Sequence, residues 1–305
     1  MAELVRNIEE KDIPQIRSIL VRVFNDGDYN NIERLGGMTN HSYKITRSDG
    51  NEYLVRIPGE GTEEMINRQD EKKSTELACR LGIDSKLLYF GDDGCKVMEF
   101  FEDPQEMNEK VMQKRENLIQ AANIFYKLHN CGVDTKVPFE VFNMAALYEK
   151  IIFNSNTKVY EDYSDIKKSV MSIKEYIDSV EPIKIVPCHN DSLMGNWVLD
   201  KNNILHLIDW EYSGMNDYMW DLSCFSIEAN YSEQLDKDLL NEYFKREITS
   251  NENKHFIAAK IYVDYLWTLW GLTRVQYDGE FMQEYADGRY ERLKSNIDKY
   301  KSICD

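Results

Sequence analysis

The segment His189-Asn190-Asp191-Ser192-Leu193-Met194-Gly195-Asn196, followed by Ile204-Leu205-His206-Leu207-Ile208-Asp209, decides how this 305-residue chain is read. An apolar run over 183–188 leads into the first part and predicts a short strand. An Asp placed beside a hydroxyl can orient it and accept its proton. An Asn five residues later can offer an amide oxygen to magnesium, a hard cation that prefers oxygen ligands. Residues 197–203 can turn the chain back, 204–208 reads as a second apolar strand, and Asp209 follows it directly. Asp191, Asn196 and Asp209 are therefore expected to converge on one metal–phosphate site. H-x-D alone is a weak pattern, and a lone Asp after a strand usually caps a helix or a turn. The ordered set of strand, H-x-D-x4-N, hairpin, strand and Asp is the spacing of a phosphoryl-transfer loop.

Outward from this segment the chain divides into two characters. Apolar residues at 13, 16, 19, 20 and 23 predict an amphipathic helix over 12–24. Strand-like runs follow at 42–47 and 52–57, joined by Ser48-Asp49-Gly50-Asn51 as a hairpin turn. A helix is expected over about 63–81, stopped by Gly82, and two short strands over 86–90 and 95–101. Beyond Asp103-Pro104 helical patterns dominate, at about 106–130, 143–153, 164–180, 233–248, 253–275 and 281–302. The expected organisation is α+β: a small sheet lobe over 1–101 that binds nucleotide, and a larger helical lobe over 102–305 with the catalytic loop and substrate pocket.

Composition narrows the function class. The formal net charge of −17 repels nucleic-acid phosphates, so nucleic acid is not an expected partner. The N-terminus lacks the apolar stretch of a signal peptide, and no segment approaches the ~18 uninterrupted apolar residues of a membrane span. Membrane insertion is not expected. Six scattered cysteines without a C-x-x-C pair read as reduced thiols of a cytoplasmic protein.

The region 186–223, from V-P-C-H-N-D through L-I-D-W-E-Y-S-G to W-D-L-S, resembles the choline/ethanolamine kinase family, with the bacterial LicA-like members the nearest likeness. The resemblance runs from about residue 30 to the C-terminus. It implies a bilobal protein-kinase-like fold shared with aminoglycoside phosphotransferases. It also implies Asp191 as catalytic base, Asn196 and Asp209 as magnesium ligands, and Asp221 as a brace of the catalytic loop. Leu35-Gly36-Gly37-Met38-Thr39-Asn40 looks like the family's phosphate loop, which gives Gly37, Met38, Thr39 and Asn40 to the nucleotide. In Y-L-V-R-I-P, Arg56 stands where protein kinases carry a strand lysine, and Glu71 on the next helix is its best partner. Met98-Glu99-Phe100-Phe101 looks like the hinge that receives adenine through backbone groups of Glu99 and Phe101.

For the acceptor, Trp267 and Trp270 in Y-L-W-T-L-W-G-L share a helix face, and such rings attract a quaternary ammonium. Two Trp at this spacing are usually core, but the W-x-L-W pattern resembles the family's choline-pocket helix. Tyr212 matches a pocket tyrosine and Glu228 a carboxylate that balances the ammonium. Glu211, two residues past Asp209, is expected either to support metal or substrate or to be a solvated turn residue. The resemblance thus implies ATP as co-substrate, magnesium as cofactor and choline as acceptor, with phosphocholine, a precursor for phospholipid or a surface polymer, as product. Ethanolamine, thiamine or an aminoglycoside are the rival acceptors, and a non-catalytic nucleotide- or choline-binding protein is the rival of another class.

Overall fold

Period-2 alternation builds the first part of the chain. In the computed structural model, which describes residues 8–36, 40–59, 66–155, 157–180 and 183–304, five strands form an antiparallel sheet. They are β1 (Asn31–Arg34), β2 (His41–Thr46), β3 (Glu52–Ile57), β4 (Leu87–Phe90) and β5 (Lys96–Glu99), in the order β1-β2-β3-β5-β4. Tyr43 and Ile45 of β2, Val55 and Ile57 of β3, and Cys95 and Val97 at β5 point to one face. There they meet Ile16, Ile19 and Leu20 of helix α1 (Ile13–Phe24) in a closed core. Alternation then sends Arg56 and Lys96 to the opposite face, and the β3–β5 register sets these two cations directly across from each other. Helix α2 (Arg68–Arg80) begins on Asn67, whose side chain accepts from the backbone N–H groups of Gln69 and Asp70.

The chain forms two compact units, one of residues Met1–Met107 and Gly195–Ser213, the other of Asn108–Met194 and Gly214–Asp305. This differs from the contiguous division at 101/102 read from the sequence. The reason is a hairpin, β7 (Trp197–Leu199) with β8 (Leu205–Leu207), that hydrogen-bonds into the first unit. Gln105 donates its N–H to the Leu199 carbonyl at 2.9 Å, and Leu207 donates to the Ile83 carbonyl at 3.3 Å.

The second unit holds α3 (Glu109–Met112), α4 (Arg115–His129), α5 (Val141–Asn154) and α6 (Tyr163–Val180). After them come the strand pair β6 (Ile185–Cys188) and β9 (Gly214–Asp217), then α7 (Tyr218–Glu228), α8 (Glu233–Phe244), α9 (Ser250–Asp278) and α10 (Glu280–Cys304). The single helix expected over 106–130 is broken at Gln113-Lys114, and the Asn117 side chain donates back to the Val111 carbonyl across the break. Helix α9 opens on a capping box between Thr249 and Glu252. Every residue from Phe256 to Thr273 is buried, so α9 is the axis of the unit and shows no amphipathic stripe. Among the described residues no helix is long and apolar enough to cross a membrane.

Helix α10 packs closely along α9 at Gly271. A Cβ there would sit 2.9 Å from Tyr285 Cδ1 and 3.2 Å from Ala286 Cβ, so any larger residue would require the Tyr285 ring or the helix carrying it to shift. That approach sets Tyr285 against Trp270.

Candidate functional site

In the first unit, the expected pair forms: Arg56 Nη2 lies 2.5 Å from Glu71 Oε1. Both side chains are almost fully buried. Glu71 also receives Arg68 Nη1 at 2.8 Å and Lys96 Nζ at 3.3 Å, so one carboxylate gathers three cations. Burial opposes its charge, but Lys96, Arg56 and Arg68 outweigh that and hold its pKa at about 2. Arg56 is likewise disfavoured by burial, yet Glu71, Asp209 and Glu211 raise its pKa and keep it charged. Its Nη1 lies 3.2 Å from Asp209 Oδ1, and its Nη2 donates to the Gly94 carbonyl at 3.1 Å.

Asp209 follows β8 at φ +64°, a left-handed conformation rare outside glycine and frequent where a side chain is aimed by its surroundings. The Ile208 N–H donates to the Asn196 carbonyl at 2.9 Å, so the hairpin sets Asn196 beside the residue preceding Asp209. An amide and a carboxylate oxygen are the hard donor types that suit magnesium. Glu211 turns its Oε2 to Asn40 Nδ2 at 3.0 Å, Arg68 Nη1 at 3.4 Å and Arg56 Nη1 at 3.7 Å. Asp84, buried nearby, has its pKa pushed up to about 7, chiefly by loss of solvent, with Asp209 adding to the effect and Lys96 opposing it.

Gly37, Met38 and Thr39 lie outside the described residues. Their flanks are fixed, since Leu35 donates to the Ser42 carbonyl at 2.8 Å and Asn40 is buried. At the hinge, the ladder commits the Glu99 N–H to the Lys86 carbonyl and the Phe100 N–H to the Glu52 carbonyl. Phe101 follows the last of these bonds and packs its ring, tilted, against His206 with centroids 4.2 Å apart. Tyr212 belongs to the first unit and is half-buried.

In the second unit, Asp221 is fully buried and braces the loop at His189-Asn190. Its two oxygens accept the N–H groups of His189 (2.8 Å) and Asn190 (2.7 Å), and His129 Nε2 lies 3.1 Å away. Asn190, at φ +70°, is pinned further: its carbonyl accepts from Trp220 Nε1 and its side-chain oxygen from Asn216 Nδ2. The half-buried Asp191 follows, its N–H on His189 Nδ1.

Trp267 and Trp270 meet edge to face at 5.8 Å, and Trp270 meets Tyr285 the same way at 5.8 Å. Glu228 pairs with Arg289, which also reaches Asp264 and lies over the Tyr285 ring at 5.0 Å. Burial pushes the Tyr285 phenol upward, with Glu228 and Asp191 pushing the same way against Arg289. The same three charges act on the buried Cys224 thiol, which puts Asp191 and the ring cluster in one electrostatic neighbourhood.

Sequence reasoning missed Lys96, Arg68 and Gly94 around Arg56, and Tyr285, Arg289 and Asp264 around the rings. A lysine between Cys95 and Val97 in an apolar strand was the available signal for the first group. The others need tertiary contacts.

A profile of the choline/ethanolamine kinase family matches residues 32–266. Protein LicA of Haemophilus influenzae is 27% identical over 259 residues, which cover 83% of this chain and 75% of that protein. Among solved structures, a choline/ethanolamine kinase family protein from Mesorhizobium loti aligns with a TM-score of 0.82 at 29% identity, over 95% of this chain and 98% of that one. The choline kinase LicA from Streptococcus pneumoniae aligns with a TM-score of 0.81 at 28% identity, over 94% and 99% of the two chains.

Proposed function

Because the chain belongs to the choline/ethanolamine kinase family and is an ATP-dependent phosphotransferase of that kind, we propose that it transfers the ATP γ-phosphoryl group to the hydroxyl of choline, giving phosphocholine and ADP. The observation that carries the choice of acceptor is the edge-to-face trio of Trp267, Trp270 and Tyr285. Ring faces attract a quaternary ammonium, which has no N–H to satisfy, by roughly 0.5–2 kcal/mol each. Ethanolamine, the second acceptor in the family description, carries N–H donors that rings alone leave unsatisfied.

In this reading Asp191 orients the acceptor hydroxyl and takes its proton. Tyr212 joins the rings against the trimethylammonium group, with Glu228 nearby. Arg56, fixed by Glu71, supports the α/β-phosphates, the backbone of Gly37–Asn40 covers them, and Glu99 and Phe101 receive adenine. Asn196 and Asp209 would hold magnesium, which when bound neutralises charge on the phosphates. Positioning and charge stabilisation supply most of the rate. The six cysteines are free thiols, which supports a reducing, cytoplasmic setting.

A coupled ADP-release assay with choline, ethanolamine, thiamine and an aminoglycoside tests the reading. Choline is expected to give the highest kcat/KM. A higher value with ethanolamine would overturn the acceptor, and Mg-ATP binding without ADP release on any of the four would make the chain a non-catalytic binder.

A further inference from the structure

Glu211 touches three separate stretches of the first unit through one oxygen. Its Oε2 accepts from Asn40 at the end of the glycine-rich loop, from Arg68 at the start of α2, and lies near Arg56 on β3. Its side chain is only 6% exposed, and Arg68 also holds Glu71. Asn40 is buried, and its Oδ1 has no hydrogen-bond partner among the described residues. The carboxylate therefore fixes which way that amide faces, because the flipped amide would set oxygen against oxygen.

We propose that Glu211 is a positioning residue that latches Asn40, at the entry to β2, to the base of α2, and so sets the affinity for Mg-ATP, instead of touching the metal or the acceptor. The proposal rests on the kinase reading above. Asn40 directly precedes β2, where Ser42 lies opposite Arg56, so a fixed Asn40 holds the entry of that strand in register with Arg56. Losing the latch frees Asn40 and leaves the Arg56–Glu71 pair in place.

The test is a double-mutant cycle on the full chain, read by calorimetric titration of Mg-ATP without acceptor. Glu211→Ala and Asn40→Ala are each expected to weaken Mg-ATP binding about tenfold, the size of one lost charge-assisted hydrogen bond. The double variant is expected to be no weaker than the poorer single one. Glu211→Gln keeps an acceptor oxygen for Asn40 and is expected to lose only about threefold. It also keeps the test informative if the alanine variant does not fold. The KM for choline and the magnesium concentration at half-maximal rate should stay within about twofold of wild type. Additive losses in the cycle would overturn the latch. So would a Gln variant that needs far more magnesium, which would make Glu211 a metal ligand, or one that raises only the acceptor KM. If wild-type protein binds no Mg-ATP, the kinase reading falls and the latch with it. Normal wild-type binding with an additive cycle removes the latch alone.

Discussion

Arg289 Nη2 lies 2.5 Å from Glu228 Oε1, so the carboxylate expected to face an ammonium ion already has a guanidinium partner. Arg289 is buried, and it shares Asp264 with Arg292. Breaking a buried pair leaves an uncompensated charge and costs roughly 3–5 kcal/mol. Arg289→Met is expected to lower the unfolding free energy by about that amount in urea melts. Glu228→Gln added to it should recover part of the loss, since neither partner is then charged.

The rings carry the next expectation. With Glu228 engaged, discrimination for a quaternary cation falls mainly to Trp267, Trp270 and Tyr285. Trp270→Leu is expected to raise the KM for choline about tenfold and that for ethanolamine less, a difference of roughly 1 kcal/mol or more in cation–π attraction. Steady-state kinetics with both acceptors measure it. Equal increases for the two would remove the rings from the account of selectivity.

Asp191→Ala is expected to abolish ADP release with choline while leaving the Mg-ATP dissociation constant within about threefold, because general-base catalysis contributes roughly 10²–10⁴ and positioning depends on it as well. Its backbone neighbours are held by Asp221, so the loop should keep its shape. Turnover near the wild-type rate in this variant would reassign the base.

Asp84 ties stability to pH. Its folded pKa is about 7, raised above the ordinary 3.8, chiefly by burial. Between about pH 4 and pH 7 the folded state therefore holds a proton that the unfolded state has released, and stability contributed by this group falls as pH rises through that window. Above about pH 7 the loss is complete. Asp84→Asn should remove this slope whatever its constant effect on stability. Urea melts of both proteins at pH 5 and pH 8 test this, and a variant with an unchanged pH slope would count against it.

Much of the first unit was legible because its strands alternate. Tyr43, Ile45, Val55 and Val97 announce one face, and Arg56, alternating between Val55 and Ile57, announces the other. The Arg56–Glu71 pair followed from a strand cation and a helix acid, but the role of Lys96 needed the cross-strand register. Helix α7 was not legible, because Met219 to Ser226 are all buried and no 3.6-residue period survives. The membership of 195–213 in the first unit was hidden for another reason. It depends on Gln105–Leu199 and Ile83–Leu207 backbone bonds, which no side-chain pattern encodes.

The close approach of α9 and α10 at Gly271 has an evolutionary consequence. Trp267, Trp270 and Tyr285 are set by the same helix packing that fills the centre of the second unit. On the proposed acceptor site, a lineage drifting toward a bulkier or differently charged acceptor would have to exchange buried residues and not surface ones. Each step would have to survive a repacked interior, so the breadth of acceptors open to this scaffold is limited by what its folded state tolerates.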